Sequence, residues 1–123
     1  MQGRRVDRVA HLIQMEIGRI IVTKMKDPRL NFVTVTHVKI TPDMKNAFVF
    51  FSILGKEDAR EKALAAFQKA AGFLQKEIAS ELKLRYTPKL EFRYDDSLER
   101  GLEIDRLLRE IQSKQGPQGG TPA

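Results

Sequence analysis

Two runs rich in β-branched and aromatic residues, Phe32–Thr41 and Ala47–Leu54, are joined by Pro42-Asp43-Met44-Lys45-Asn46, a stretch of turn chemistry. On either side of this hairpin the apolar residues recur every three or four positions instead. A chain that switches period in this way packs a sheet against helices, and runs of strands and helices in this order read as an α+β arrangement. Within the first run the apolar phase slips between Val33/Val35 and Val38/Ile40, so a β-bulge is expected near Thr36-His37. The second run is apolar on both faces for most of its length, and its phenylalanines are expected in the hydrophobic core.

Upstream, Val6, Val9, Ala10, Ile13, Ile17, Ile20 and Ile21 form one wide apolar stripe, predicting a helix over 4–25. Arg4, Arg5, Arg8 and Arg19 fall on its opposite face. Asp27-Pro28 ends the element, because the residue before proline is driven out of the helical region. Downstream, Gly55 breaks the strand, and Leu64, Phe67, Ala71, Leu74, Ile78 and Leu82 carry a second helical stripe to about Leu84. Ala70-Ala71-Gly72 interrupts it. These small residues either let two elements pack closely or mark a kink between two helices, and period alone does not separate the two.

Thr87-Pro88 introduces a third strand, with Leu90, Phe92 and Tyr94 on one side and Lys89, Glu91, Arg93 and Asp95 on the other. Asp96-Ser97-Leu98-Glu99 has the spacing of a capping box and opens a last helix, expected to reach about Ile111 and to dock weakly. Residues 112–123 hold five Gly or Pro and no apolar stripe, and are expected to be a disordered tail behind a single domain spanning 1–111.

The chain has 123 residues, which leaves no room for a second domain, and no run approaches the length of a membrane span. Met1-Gln2-Gly3-Arg4-Arg5 has no apolar block behind it, so no secretory signal is expected, and the absence of cysteine suits a reducing, cytoplasmic home. The net charge is +6. Residues 1–30 contribute +4, 31–95 contribute +3 and 96–123 contribute −1, so the basic excess precedes the last helix. Such a balance marks a candidate polyanion binder.

Catalytic chemistry is poorly served. His11 and His37 are distant and read as structural, and no zinc or P-loop pattern exists. Asp95, Asp96, Glu99 and Glu103 form the densest acidic group, which a metal-dependent nuclease would want. Helix capping explains the first three more simply. No catalytic residue, metal or cofactor is expected. Ala47-Phe48-Val49-Phe50-Phe51 matches part of the aromatic signature of an RNA recognition motif, but that fold begins with a strand, and residues 1–31 offer none. The order helix, strand, strand, helix–helix, strand is instead that of a type II KH domain, with Lys69 and Lys76 flanking the place of its Gly-x-x-Gly turn.

Arg4-Arg5-Val6, Asp27-Pro28-Arg29, Val38-Lys39-Ile40-Thr41-Pro42-Asp43, Ala70-Ala71-Gly72-Phe73-Leu74, Leu84-Arg85-Tyr86-Thr87-Pro88-Lys89 and Asp95-Asp96-Ser97 follow one another in unbroken order. This ordered set, from about residue 4 to 111, resembles the ribosome-binding factor A (RbfA) family. The resemblance implies a KH-like fold in which an Ala-x-Gly interhelical kink, Ala70-Ala71-Gly72, replaces the Gly-x-x-Gly loop. It also implies a monomer that binds the immature 30S subunit, assists late maturation and processing of 16S rRNA, and is tied to growth in the cold. Gln75 departs from the family pattern, where arginine is expected. The cations expected to contact RNA phosphates are Arg4, Arg5, Arg8, Lys69, Lys76, Arg85 and Lys89. A general single-stranded RNA binder is the alternative; the chain has no Trp and two Tyr to offer as stacking platforms.

Overall fold

A computed structural model describes residues 2–55 and 57–115. Helix α1 spans Gln2–Thr23, a single 3-10 turn Pro28–Leu30 follows, and strands β1 (Val33–Ile40) and β2 (Asn46–Ile53) form the hairpin. Helix α2 (Glu57–Leu82), strand β3 (Lys89–Tyr94) and helix α3 (Ser97–Gln115) complete the chain. The sheet order is β1-β2-β3, with β2 antiparallel to β1 and parallel to β3. This is the α+β, type II KH-like order expected from the sequence.

The core lies where the helical stripes meet one face of the sheet. Ile13, Ile17, Ile20, Leu30, Val49, Phe51, Phe67, Leu74 and Ile78 are all but wholly buried, each worth roughly 1.5–3 kcal/mol in removed apolar surface. Phe67 of α2 packs its ring on Phe51 of β2 (centroids 4.9 Å apart) and stacks on Phe92 of β3 (4.6 Å, 7°). Gly55, at φ +136°, makes the turn from β2 into α2, a backbone state closed to other residues.

The bulge falls where the phase slip placed it. The β1–β2 register shifts between Val35 and His37, leaving Thr36 unpaired. Gln14 of α1 donates to the carbonyls of Val35 (3.3 Å) and Thr36 (3.1 Å), so the irregular backbone is satisfied from the helix beneath it. The Thr36 hydroxyl donates to Asp95 Oδ2 at 2.5 Å, and Ser97 N–H donates to Asp95 Oδ1 at 2.9 Å. These hydrogen bonds, Thr36 foremost, hold the carboxyl of Asp95 down to about 2. The bulge thus fastens the first turn of α3, in place of the reciprocal capping box the sequence suggested.

Several expectations need correction. The α2 stripe is one helix; Ala70-Ala71-Gly72 is not a boundary between two, and Gly72 keeps ordinary helical backbone. Apolar residues on both sides of it, Phe67 and Leu74, are buried, and their burial outweighs the ~1 kcal/mol cost of a helical glycine. On β2, Phe51 is in the core, but Phe48 and Phe50 are only half-buried. The helices cover a single face of the sheet, so alternate residues of an apolar strand emerge on the other. There Phe50 stacks on His37 (4.3 Å) and Arg93 lies over Phe48 (5.0 Å). Helix α3 continues past Ile111 to Gln115, so 112–115 are helical; the rest of the expected tail, 116–123, lies outside the described residues. From Glu99 to Ser113 every residue of α3 is exposed.

Gln75 has a structural use. Its Nε2 donates to Pro88 O (2.6 Å) and its Oε1 accepts from Leu90 N–H (3.0 Å), pinning the start of β3 to α2. Arginine has donors only and could not take the second bond.

Three outcomes follow from this architecture. A Cβ at Gly72 meets nothing within 4 Å, so Gly72→Ala is expected to stabilise by about 0.5–1 kcal/mol and raise Tm by a few degrees in a thermal melt. A fall in Tm would mean the helix needs glycine there. Gln75→Leu, which leaves Leu90 N–H and Pro88 O unpaired, should cost about 1–3 kcal/mol in urea unfolding, and Gln75→Arg less. The Asp95 carboxylate, lowered in the folded state, stabilises fully above its unfolded pKa near ~4, and that contribution vanishes as pH falls through about 2. Asp95→Asn is therefore expected to lose about 1–2 kcal/mol at neutral pH, a difference from the parent protein that closes below pH ~2.

Candidate nucleic-acid interface

The first turns of α1 expose Arg4, Arg5 and Arg8 because the apolar stripe commits Val9, Ala10 and Ile13 to the core. On α2 the buried row leaves Lys69 and Lys76 on the solvent side with exposed Gly72 and Phe73 between them, and exposed Lys83 follows seven residues on, just past the helix end. At 1.5 Å per residue, this lysine row runs for about 21 Å along the helix. It ends at Lys83, whose φ of 50° turns the chain out of α2. The connection then presents Arg85 and Tyr86, both exposed, before β3 begins at Lys89.

The strand register closes this arrangement. Lys89 N–H donates to Lys45 O at 2.8 Å, so the tip of the hairpin and the start of β3 share one end of the sheet. Arg5, Lys45 and Arg85 line a common cleft of about 600 Å³ together with Asp43, Met44, Leu84, Tyr86 and Thr87. Of the seven cations named from the sequence, the structure gathers Arg5, Arg85 and Lys89 at this pole. Arg4 and Arg8 sit within one turn of Arg5. Lys76 is on the α2 row. Lys69 is the most remote, near enough to Asp27 to act on it across the surface.

All seven lack an ion-pair partner among the described residues, as do Lys26, Lys39, Lys45, Lys83 and Arg106. Arg60 has no carboxylate partner either and lies over the Tyr94 ring, 3.9 Å from its centroid, whereas other cations are paired. Lys24 meets Glu77 at 2.6 Å, Arg19 meets Glu16, and Arg100 and Arg109 meet carboxylates one turn back. Arg29 is held by Asp27, whose carboxyl is lowered chiefly by that guanidinium. A paired cation must give up its partner to meet a phosphate, and an unpaired one need not.

The carboxylates that a nuclease would use are otherwise engaged. Asp95 is bonded to Thr36 and Ser97, Asp96 pairs with Arg100 at 3.0 Å, and Glu99 accepts from the hydroxyl of Tyr94. No group of three metal-binding side chains occurs among the described residues. His11 is exposed on α1, and His37 stacks on Phe50 with Nδ1 3.5 Å from Asp95. No helix among the described residues is long and apolar enough to cross a membrane.

Sequence reasoning missed Lys45 and Tyr86, and it noticed Lys83 after the expected kink without placing it among the contact residues. The lysine row was visible as a seven-residue repeat, Lys62, Lys69, Lys76, Lys83, although Lys62 is drawn to Asp58 at 3.5 Å. Lys45 had no signal of its own, since only strand register brings it to Lys89.

The family model of ribosome-binding factor A matches residues 5–108. The ribosome-binding factor A of Geobacter metallireducens is 40% identical over 113 residues, covering 92% of this chain and 96% of that one. That of Desulfatibacillum aliphaticivorans is 44% identical over 114 residues, 93% of each chain. The crystal structure of ribosome-binding factor A from Thermus thermophilus superposes with a TM-score of 0.65 at 26% identity, over 72% of this chain and 94% of that one. A homology model of the Thermus thermophilus protein, fitted into the cryo-EM map of a 30S-RbfA complex, gives 0.63 at 25% identity, over 74% and 96%. With the same order of elements and most of its length matched, the chain belongs to the ribosome-binding factor A family.

Proposed function

We propose that this protein is a non-catalytic, cytoplasmic assembly factor that binds the immature 30S subunit as a monomer and assists late maturation and processing of 16S rRNA, including in the cold. The observation that carries this reading is the set of unpaired cations running from Lys69 and Lys76 on α2 through Arg85 and Lys89 to Arg4, Arg5 and Arg8 on α1. The relative fitted into a 30S complex supports the choice of partner. Ammonium and guanidinium groups on two rigid helices and a strand edge meet phosphates at fixed separations, so a folded RNA that presents them correctly binds best. Such preference shifts the population of rRNA conformers without any chemical step.

The test is affinity for 30S subunits as a function of salt. If phosphates dominate, log K falls linearly with log salt, and Arg8→Ala or Lys76→Ala each reduces the slope by about 0.7–0.9. Lys24→Ala, which removes a cation already held by Glu77, should leave the slope unchanged. A protein that fails to sediment with free 30S subunits overturns the reading.

A further inference from the structure

We propose that the cleft between the start of α1, the hairpin tip and the α2–β3 connection holds one unpaired nucleotide of an RNA strand. The Tyr86 ring stacks on its base, and Arg5, Lys45 and Arg85 hold the phosphates on either side. This deepens the rRNA-binding reading and rests on it. The cleft lies at the opposite end of the lysine row from Lys69 and does not include Ala70-Ala71-Gly72.

Tyr86 is the first observation. An aromatic ring normally buries most of its surface, yet Tyr86 is 75% exposed. Among the described residues its one aromatic or cation–π partner is the guanidinium of Arg85, 5.5 Å from the centroid. Most of the ring is left in water. The second tyrosine contrasts with it: Tyr94 packs edge-on against Phe51 and gives its hydroxyl to Glu99.

The cleft itself is the second. At about 600 Å³ it has the size of a small-molecule site, and Met44, Leu84 and the Tyr86 ring give it apolar walls. Around them stand three cations against one carboxylate. That carboxylate, Asp43, already accepts from the Thr41 hydroxyl (2.6 Å) and Lys45 N–H (3.0 Å), which fixes the turn. An apolar slot rimmed by positive charge suits a planar base joined to phosphates.

The third observation is backbone strain. Met44 (φ 60°) and Lys83 (φ 50°) are the non-glycine residues with left-handed backbone among those described, a state that residues with a Cβ seldom adopt. Met44 lines the cleft, and Lys83 directly precedes its wall residue Leu84. Strained residues that the surrounding fold holds in place cluster at ligand sites.

Tyrosine emission reads the proposal directly, because the chain has no tryptophan. Full-length protein is titrated with single-stranded tetranucleotides of adenosine or uridine, with a blunt RNA duplex and with inorganic phosphate. Saturable quenching is expected with the single strands and not with duplex or phosphate alone. Tyr86→Phe should keep the affinity for labelled single strand, and Tyr86→Ala should weaken it about 5- to 150-fold. Arg85→Gln should reduce the salt slope by about 0.7. Absent quenching, equal quenching by phosphate, or unchanged affinity in Tyr86→Ala overturns the proposal. Sedimentation with 30S subunits separates the two levels. If the parent protein and Tyr86→Ala sediment equally well, only the nucleotide cleft falls; if the parent does not sediment, the rRNA-binding reading falls with it.

Discussion

Phe67 sits without exposed surface between Phe51 of β2 and Phe92 of β3, and the geometry of the whole fold depends on that contact. Two parallel strands cannot be joined by a tight turn, so the chain must leave the sheet, cross it as α2 and return. The ring contacts decide how the crossing helix lies, because one side chain touches both strands it connects. Once α2 is fixed in this way, Gln75 reaches the main chain of Pro88 and Leu90, and β3 begins where the hairpin tip already is. The pole holding Arg5, Lys45, Arg85 and Lys89 is therefore a product of core packing rather than of any contact among the cations.

Charge is divided by role along the same frame. Carboxylates in the second half of the fold do structural work: Asp95 secures the bulge to α3, Glu99 takes the Tyr94 hydroxyl, and Asp96 and Asp105 pair within α3. The cations left without partners are concentrated on α1, α2 and the sheet end between them. Exposed ion pairs contribute little stability, about 0–1 kcal/mol each, so leaving these cations unpaired costs the fold almost nothing while keeping them free for polyanions.

Much of this was legible in the sequence, for identifiable reasons. The bulge at Thr36 announced itself because a slip of one residue moves every later side chain to the other face. The two helical stripes and the half-buried third strand were plain from their periods. What stayed hidden needed knowledge of a third element. An apolar strand such as Ala47–Ile53 looks the same whether one or both faces are covered, so the emergence of Phe48 and Phe50 was invisible. Small residues at 70–72 suit a break and close packing equally, and only the structure, where α2 runs unbroken through them, separates the two. Of the site, the cations were nameable one by one, but their gathering was not, since it passes through the parallel register of β2 and β3 and through Gln75, whose partners lie 13 and 15 residues away.

Helix α3 adds nineteen residues to the chain while Leu102, Ile104, Leu107, Leu108 and Ile111 keep about half their surface in water. Heat capacity change and denaturant sensitivity scale with the surface a protein uncovers on unfolding. With so little apolar surface to uncover beyond its fastened first turn, α3 is expected to lengthen the molecule while adding little to the heat-capacity change or denaturant sensitivity of unfolding.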